Sequence, residues 1–373
     1  MHTHPNCVAV DLEALTYNLH QISGLLKGHA RVVGVVKSDA YGHGLVPVSR
    51  TLEKNKIHAL GVAHVSEALE LRKAGIGVPI MVLCGLSSRE ECDAVVENRF
   101  IPVIYDLNVA RMLDQEGGRR HKQVPVHLKI DTGMGRLGIS YTHVSEFLER
   151  LAGLKHLDLA GITSHLSTAD EPGSLFVEDQ RTRFEGAVSA ARSTGLALEF
   201  NSMANSAGVV ADPGLHFDLV RCGIMLYGGL PAPDFDSPVH LRSVMRFHAR
   251  ILQVRTLDHR SPVSYGRTYH TQGPCKVAVM SAGYGDGIPR RASNRGCVLI
   301  GGKRAPIIGN VCMNLTICNV SHVPSVKAGD EAVILGAQGQ EEIRGDDIAR
   351  WADTISYEVF CTIGRMNRRE YGK

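Results

Sequence analysis

A short apolar run, a small or polar turn and then a helical pattern recur along the chain as far as residue 241. Strands that alternate with helices indicate parallel strands joined by right-handed crossovers, and eight such units can close into a (β/α)8 barrel. An open doubly wound sheet is the alternative, but the Gly-x-Gly-x-x-Gly fingerprint expected after its first strand is missing. We therefore predict a barrel whose strands span 32–36, 59–62, 80–84, 101–105, 125–130, 158–162, 198–201 and 217–221.

The pattern changes beyond residue 241, where alternating strands follow one another through glycine-rich turns. This pattern predicts a mainly antiparallel β domain, so the 373-residue chain divides into an α/β barrel at 8–241 and a β domain at 242–373. In the barrel, helices are expected at 66–74, with Ser66 as N-cap, and at 177–194. In the β domain we predict strands at 247–254, 277–281, 298–301, 307–319 and 332–335, and one helix at 346–352.

Composition argues against several classes of protein. A formal net charge of +3 and 5% aromatic residues do not suit a nucleic-acid-binding surface. The nine scattered cysteines contain no Cys-x-x-Cys pair, which argues against a disulfide framework or a zinc site and favours a reducing cytoplasm. No apolar run approaches the length of about 18 residues needed for a transmembrane helix. We expect a cytoplasmic enzyme with no bound metal and no contact with membranes or nucleic acid.

The first predicted strand ends abruptly at Lys37, in the stretch Arg31-Val-Val-Gly-Val-Val-Lys-Ser-Asp-Ala-Tyr-Gly-His-Gly44. The β-branched valines suit a strand buried on both faces, and Gly42 and Gly44 mark a turn that passes close to another group. A desolvated lysine at a strand end can form a Schiff base with an aldehyde cofactor. A solvated lysine in a βα loop is the other interpretation of this stretch alone.

Polar groups also follow four other predicted strands. Active sites of barrels gather at the carboxyl ends of the strands, so these groups are expected to share one rim with Lys37. Each group alone could be structural, but five on one rim indicate an active site. The four further groups are Lys129 with 131–136, then 163–165, 201–206 and 221–224.

The motifs in these places closely resemble those of the alanine racemase family, in order along the chain. They are VVKSDAYGHG around Lys37, KIDTGMGRLG, the segment around His165, MANSAG, VRCGIMLYG, SYGRTY, SAGYGDG, GNVCMN and ISYEVFCT. The resemblance implies a pyridoxal-phosphate enzyme with a barrel and a carboxy-terminal β domain. It also implies interconversion of L- and D-alanine as a source of D-alanine for peptidoglycan.

The resemblance further implies residue roles for the cofactor. Lys37 would form the Schiff base, and Arg221 would face the pyridine nitrogen. The cofactor phosphate would be held by Tyr41, Ser206, the backbone amides of Gly223 and Ile224, and Tyr357.

Racemisation needs proton carriers on both faces of Cα, and the resemblance assigns them to Lys37 and Tyr265. Tyr265 would come from the neighbouring subunit of a homodimer with shared active sites, assisted by His165 and Arg221. Substrate-site positions carried over from the family are Arg136, Met313 and Tyr284, with Lys129 as a possible carbamylated lysine.

Two positions depart from the family pattern. Asn314 stands where the family commonly has an aspartate, and Asn310 stands where an arginine is common. Both changes remove charge near the proposed substrate entrance, so the sequence leaves open a broader racemase that also accepts serine. A pyridoxal-phosphate-dependent decarboxylase is another alternative, although such enzymes usually pair the pyridine nitrogen with a carboxylate. A single-barrel cofactor carrier would have no use for the second domain.

Overall fold

The computed structural model describes residues 6–196 and 198–372, and position 373 of the predicted second domain lies outside the described residues. Its strands in chain order are β1 (Cys7–Asp11), β2 (Arg31–Val35), β3 (Ala59–Val62), β4 (Ile80–Val82), β5 (Ile101–Ile104), β6 (Val124–Asp131), β7 (Ile139–Ser140), β8 (Leu157–Thr163), β9 (Leu219–Cys222), β10 (Met245–Leu257), β11 (Pro262–Val263), β12 (Tyr269–His270), β13 (Cys275–Met280), β14 (Cys297–Ile300), β15 (Lys303–Pro306), β16 (Thr316–Asn319), β17 (Glu331–Gln338), β18 (Glu341–Ile343) and β19 (Arg369–Gly372). The α-helices are α1 (Leu12–Leu25), α2 (Leu45–Lys54), α3 (Val65–Lys73), α4 (Arg89–Asn98), α5 (Leu107–Arg119), α6 (Val144–Leu151), α7 (Phe176–Ser193), α8 (Ser206–Ala211), α9 (Gly345–Ala352) and α10 (Ser356–Met366).

The barrel is a ring of parallel strands. Its order is β2, β3, β4, β5, β6, β8 and β9, and β9 pairs with β2 again. Ser202 completes the ring between β8 and β9, because it forms parallel bridges with Thr163 and with Leu219. The predicted α/β barrel followed by a mainly antiparallel β domain is therefore confirmed.

The strand sequences explain their place in the ring. β3 and β4 are buried at every position, as expected for parallel strands covered on both faces. Side chains of Val33, Ala59, Met81 and Leu219 form a separate apolar cluster drawn from β2, β3, β4 and β9. Some helices around the ring begin at a capping side chain; at the start of α5, for example, the carboxylate of Asp106 accepts hydrogen bonds from the backbone of Asn108 and Val109.

The second domain is built on a sheet in which β15, β14, β17, β10, β1 and β19 are neighbours in that order. Strand β13 pairs with both β10 and β16, and β18 pairs with β17. The first and last strands of the chain, β1 and β19, pair in parallel inside this sheet. The predicted domain boundary at 241/242 stays a prediction. Strand β1 precedes that boundary in the sequence, but it pairs with β10, which follows the boundary.

Two expectations for the barrel and its helices need correction. The predicted strand at 198–201 does not form, because the backbone amides of Glu199 and Phe200 both donate to the carbonyl of Ala160 instead of alternating along a ladder. Ser66 is not the N-cap of α3. The helix begins at Val65, and the cap is His64, whose N–H donates to Glu67 Oε2 at 3.3 Å.

In the second domain, the predicted strand at 307–319 is wrong over most of its length. The segment folds back on itself between Cys312, whose N–H donates to the carbonyl of Leu315 at 2.9 Å, and Leu315, so that Ile307 pairs antiparallel with Cys318. The expectation of a single helix was also wrong, since α10 follows α9. The apolar face of α10, with Val359, Phe360 and Ile363, is buried.

The close approach of α10 to the barrel can be tested at Gly364. A Cβ at this position would overlap the carbonyl of Gly42, whereas a Cβ at Gly186 in α7 would meet nothing within 4 Å. We expect Gly364→Ala to lower the free energy of unfolding by about 1–3 kcal/mol through overpacking. Gly186→Ala should raise it by about 0.5–1 kcal/mol, because alanine is the better helix former. Denaturant unfolding of both variants checks this, and equal effects would contradict the packing described.

Candidate active site

The turn that carries Lys37 has an unusual backbone. We call Lys37–Tyr41 the lysine turn. Its residues Ser38, Asp39, Ala40 and Tyr41 have φ values of 55°, 56°, 52° and 54°. None is glycine, and the left-handed conformation costs an L-residue roughly 1–2 kcal/mol. Such a run persists only where surrounding contacts hold it.

Several side chains supply those contacts. Glu67 Oε1 accepts the N–H of Ser38 at 2.6 Å, and Asp39 Oδ1 accepts the N–H of Leu45 at 2.6 Å. The Nδ1 atom of the buried His43 lies 3.0 Å from the carbonyls of Ala40 and Tyr41. The turn is thus fastened at both its beginning and its end, and it presents Lys37 at the carboxyl end of β2.

Lys37 opens into a cavity of about 460 Å³ at the carboxyl ends of the barrel strands. This volume lies in the range of small-molecule and cofactor sites. The ten predicted site residues that the structure brings together here are Lys37, Tyr41, Lys129, Arg136, His165, Ser206, Arg221, Gly223, Ile224 and Tyr357. Their individual roles stay predictions, but their convergence agrees with the expected rim.

The cavity is strongly cationic. Lys37, Lys129, Arg136 and Arg221 line it, and the described lining residues include no aspartate or glutamate. Burial and the nearby Arg221 and Arg136 hold the pKa of Lys129 well below its usual range. This shift favours the neutral amine of Lys129 more than in a solvated lysine, while the site as a whole is suited to an anionic ligand.

Arg221 and His165 form a pair on the cavity wall. The Arg221 Nη2 atom donates to the carbonyl of Ser164 at 2.6 Å and lies 3.2 Å from His165 Nδ1, while Nη1 donates to Ser202 Oγ at 2.5 Å. Burial lowers the pKa of Arg221 to about 10, so the guanidinium is still charged at neutral pH. Burial, Arg221 and the other cations hold the pKa of His165 well below its usual value. The neutral imidazole therefore accepts at Nδ1 and carries its proton on Nε2.

A second group of residues forms a neutral polar cradle. The N–H of Gly223 donates to Ser206 Oγ at 3.1 Å, and a Cβ on Gly223 would overlap the hydroxyl of Tyr41. The rings of Tyr41 and Tyr357 lie 5.8 Å apart. Burial raises the pKa of both phenols, so they stay protonated and can donate hydrogen bonds to an anion. Hydroxyls and oriented backbone N–H groups of this kind fit a phosphate.

Three predicted site residues lie outside the cavity of this chain. Tyr265 and Met313 are 73% and 59% exposed, and Tyr284 is also exposed. They lie on neighbouring loops of the second domain, because the N–H of Tyr284 donates to the carbonyl of Cys312 at 3.0 Å and Asn310 Nδ2 donates to the carbonyl of Tyr265 at 2.8 Å. Within one chain these residues form a separate surface group.

Sequence reasoning did not single out every residue of this region. Thr163 lines the cavity and its buried hydroxyl has no hydrogen-bond partner within the described residues, so it is available to a ligand. The predicted rim included Thr163 in its group 163–165, but sequence reasoning assigned this hydroxyl no role. Glu67 and Arg369, which contact the lysine turn, gave no signal because they are distant in sequence.

The helices of residues 6–196 and 198–372 include none with the length and apolar composition needed to cross a membrane.

Family models match both parts of the chain. The model described as "Alanine racemase, N-terminal domain" matches residues 10–231, and "Alanine racemase, C-terminal domain" matches residues 244–371. The alanine racemase of Syntrophobacter fumaroxidans is 43% identical, with 98% of this chain and 96% of the relative covered. These matches span nearly the whole chain.

Solved structures give the same result. The alanine racemase from D-cycloserine-producing Streptomyces lavendulae has a TM-score of 0.93 at 32% identity, covering 100% of this chain and 98% of that chain. The alanine racemase from Bartonella henselae, solved with covalently bound pyridoxal phosphate, has a TM-score of 0.88 at 26% identity, covering 98% and 99%.

Asn314, which follows Met313 of the surface group, allows a test of the local contacts. Its Nδ2 donates to Asp286 Oδ2 at 3.3 Å, so an aspartate there would place two carboxylates in contact. We expect Asn314→Asp to lower stability by about 0.5–1 kcal/mol more than Asn314→Ala, which removes the hydrogen bond without adding charge. Thermal melting checks this. The difference should shrink at acidic pH, where one carboxyl keeps its proton, and a difference that grows there would contradict the contact.

Proposed function

The chain belongs to the alanine racemase family of pyridoxal-phosphate-dependent isomerases, and from that premise we propose that it interconverts L- and D-alanine using Lys37 and Tyr265 as proton carriers. The proposal rests above all on the cavity around Lys37, which has four basic side chains and no carboxylate among its described lining residues. An amino acid and a phosphorylated cofactor both bring negative charge to such a site.

The residues present fit pyridoxal phosphate. Lys37 would hold the cofactor through its amine, and the neutral cradle would bind the phosphate through Tyr41, Ser206, Tyr357 and the backbone amides of Gly223 and Ile224. When bound, the cofactor supplies an electron sink that makes the proton on Cα of the attached amino acid acidic.

Arg221 is assigned to the ring nitrogen of the cofactor. Its pKa of about 10 means that it donates hydrogen bonds at neutral pH and does not deliver a proton. Arg221 would therefore leave the ring nitrogen unprotonated and limit electron withdrawal, which favours quick return of a proton to Cα. A decarboxylase would need the opposite arrangement, with a carboxylate at this place.

The second proton carrier would come from another copy of the chain. Tyr265 belongs to the surface group, and its side chain is far more exposed than that of a residue serving the buried cavity of its own chain. We place the partner subunit's Tyr265 on the face of Cα opposite Lys37, in a homodimer with shared sites. A free phenol has a pKa of about 10 and is a weak base, so it needs stabilisation of its anion. We assign that role to the Arg221–His165 pair.

Substrate binding is assigned to Arg136, Met313 and Tyr284. Arg136 would receive the substrate carboxylate. The neutral amine of Lys129 is the form that adds carbon dioxide, with loss of one proton, to give a carbamate. A carbamylated Lys129 would pair with Arg136 and orient it.

In the cell we propose a cytoplasmic enzyme that supplies D-alanine for peptidoglycan. The nine free cysteines are consistent with a reducing compartment. A racemase that also accepts serine is the second candidate, because Asn310 and Asn314 make the surface group less charged than in the family pattern. Racemisation of each common amino acid, followed by circular dichroism, separates these candidates, and release of carbon dioxide would indicate a decarboxylase.

The two-carrier assignment is tested by Tyr265→Phe, which removes the hydroxyl and keeps the ring. We expect racemisation to fall by about 10²–10⁴-fold, the usual contribution of a positioned acid or base. In D2O, Lys37 should still exchange the α-proton of one alanine enantiomer without inversion, which proton NMR detects.

Tyr269→Phe is the matched control, since Tyr269 lies on β12 close in sequence and is partly buried against Val263 and Cys275. It should leave racemisation unchanged. Full two-way activity in Tyr265→Phe would refute the assignment of Tyr265.

A further inference from the structure

The last strand of the chain reaches the lysine turn through one side chain. Arg369 on β19 forms an ion pair with Asp39 Oδ2 and also donates from Nη1 to the carbonyl of Gly42 at 3.0 Å. Asp39 lies inside the turn and Gly42 directly follows it. A single guanidinium therefore bridges the second domain to two points of the turn that carries Lys37.

Other contacts from the second domain support this bridge. A Cβ at Gly44 would overlap the hydroxyl of Tyr371, and a Cβ at Gly364 would overlap the carbonyl of Gly42. The backbone just after the lysine turn thus packs tightly against β19 and α10. Little space is left for the turn to relax while Arg369 is in place.

The geometry of the arginine side chain matters for this contact. Nη1 makes both bonds, and its two N–H groups lie in the fixed plane of the guanidinium, whereas the ammonium of a lysine ends a shorter side chain. Asp39 is also engaged at its other oxygen by the N–H of Leu45. Each oxygen of the Asp39 carboxylate consequently has a hydrogen-bond partner, and these contacts help to hold the backbone of Asp39 in the left-handed conformation.

We propose that Arg369 is a positioning residue that keeps the lysine turn in the conformation presenting Lys37 to the cofactor cavity. This role rests on the proposed function of Lys37. Arg369 itself does not line the cavity into which Lys37 opens. Its side chain and that of Asp39 are 23% and 39% exposed, so solvent weakens the ion pair as a source of stability. Loss of this ion pair should therefore change the geometry of Lys37 more than it lowers the free energy of global unfolding.

The test compares Arg369→Met and Arg369→Lys with a matched control, Arg350→Met, in the full-length holoenzyme. Arg350 lies on α9, pairs with Asp234 and Asp347, and donates to the carbonyl of Pro233, with no contact to the lysine turn. Melting temperature, the dissociation constant for pyridoxal phosphate added back to apoenzyme, and kcat and KM are measured for each variant.

We expect Arg369→Met to weaken cofactor binding and to lower kcat, each about tenfold, while its melting temperature falls no more than that of Arg350→Met. Arg369→Lys should recover only part of both losses, because lysine keeps the charge but its shorter side chain places the ammonium away from the position of Nη1. Wild-type cofactor affinity and kcat in Arg369→Met would overturn the proposal.

Asp39→Asn removes the other charge of the same ion pair. The asparagine keeps an oxygen that can accept the N–H of Leu45. This variant therefore still tests the proposal if Arg369→Met does not fold. In the double variant Asp39→Asn/Arg369→Met, the losses in cofactor affinity should not add, since both changes break one interaction. Independent, multiplicative losses would contradict action as a pair.

Borohydride trapping of the wild-type holoenzyme, followed by peptide mapping, separates this inference from the proposed function. A label on another lysine would refute the assignment of Lys37. A label on Lys37, together with wild-type cofactor affinity and kcat in Arg369→Met, would refute only the positioning role of Arg369.

Discussion

The left-handed run after Lys37 is the constraint on which the site depends. Four consecutive non-glycine residues adopt positive φ values, an arrangement that an isolated chain would abandon. Local bonds from Asp39 and His43 are joined by contacts from Glu67 on α3 and Arg369 on β19. The position of the lysine is therefore a property of the whole two-domain fold, and the second domain helps to hold the site that the barrel contains.

Charge is the second organising feature. The cavity combines cations with phenols that burial keeps protonated, and the described lining residues provide no carboxylate to neutralise them. Burial, together with the nearby cations, lowers the pKa values of Lys129 and His165, while Arg221, with its pKa lowered to about 10, keeps its charge at neutral pH. This balance suits the donation of hydrogen bonds to anions and, in the proposed function, restrained electron withdrawal by the cofactor.

Features encoded locally could be predicted from the sequence. The valine run ending at Lys37 indicated a buried strand with a lysine at its carboxyl end, and the alternation of strands and helices indicated the barrel. The strand at 198–201 failed because the ring closes there through Ser202 alone. Helix α10 was missed although Val359 and Ile363 have helical spacing. The contact between Asp39 and Arg369 joins residues 330 positions apart, and no local pattern carries that information.

The central claim is that a complete site needs Lys37 from one subunit and Tyr265 from another. Mixing inactive Lys37→Ala and Tyr265→Ala homodimers after reversible dissociation tests it most directly. Heterodimers would contain one intact site, so racemase activity should rise from near zero to about a quarter of the wild-type value at random reassociation. No recovery, in mixtures in which heterodimers are demonstrated, would contradict the shared site.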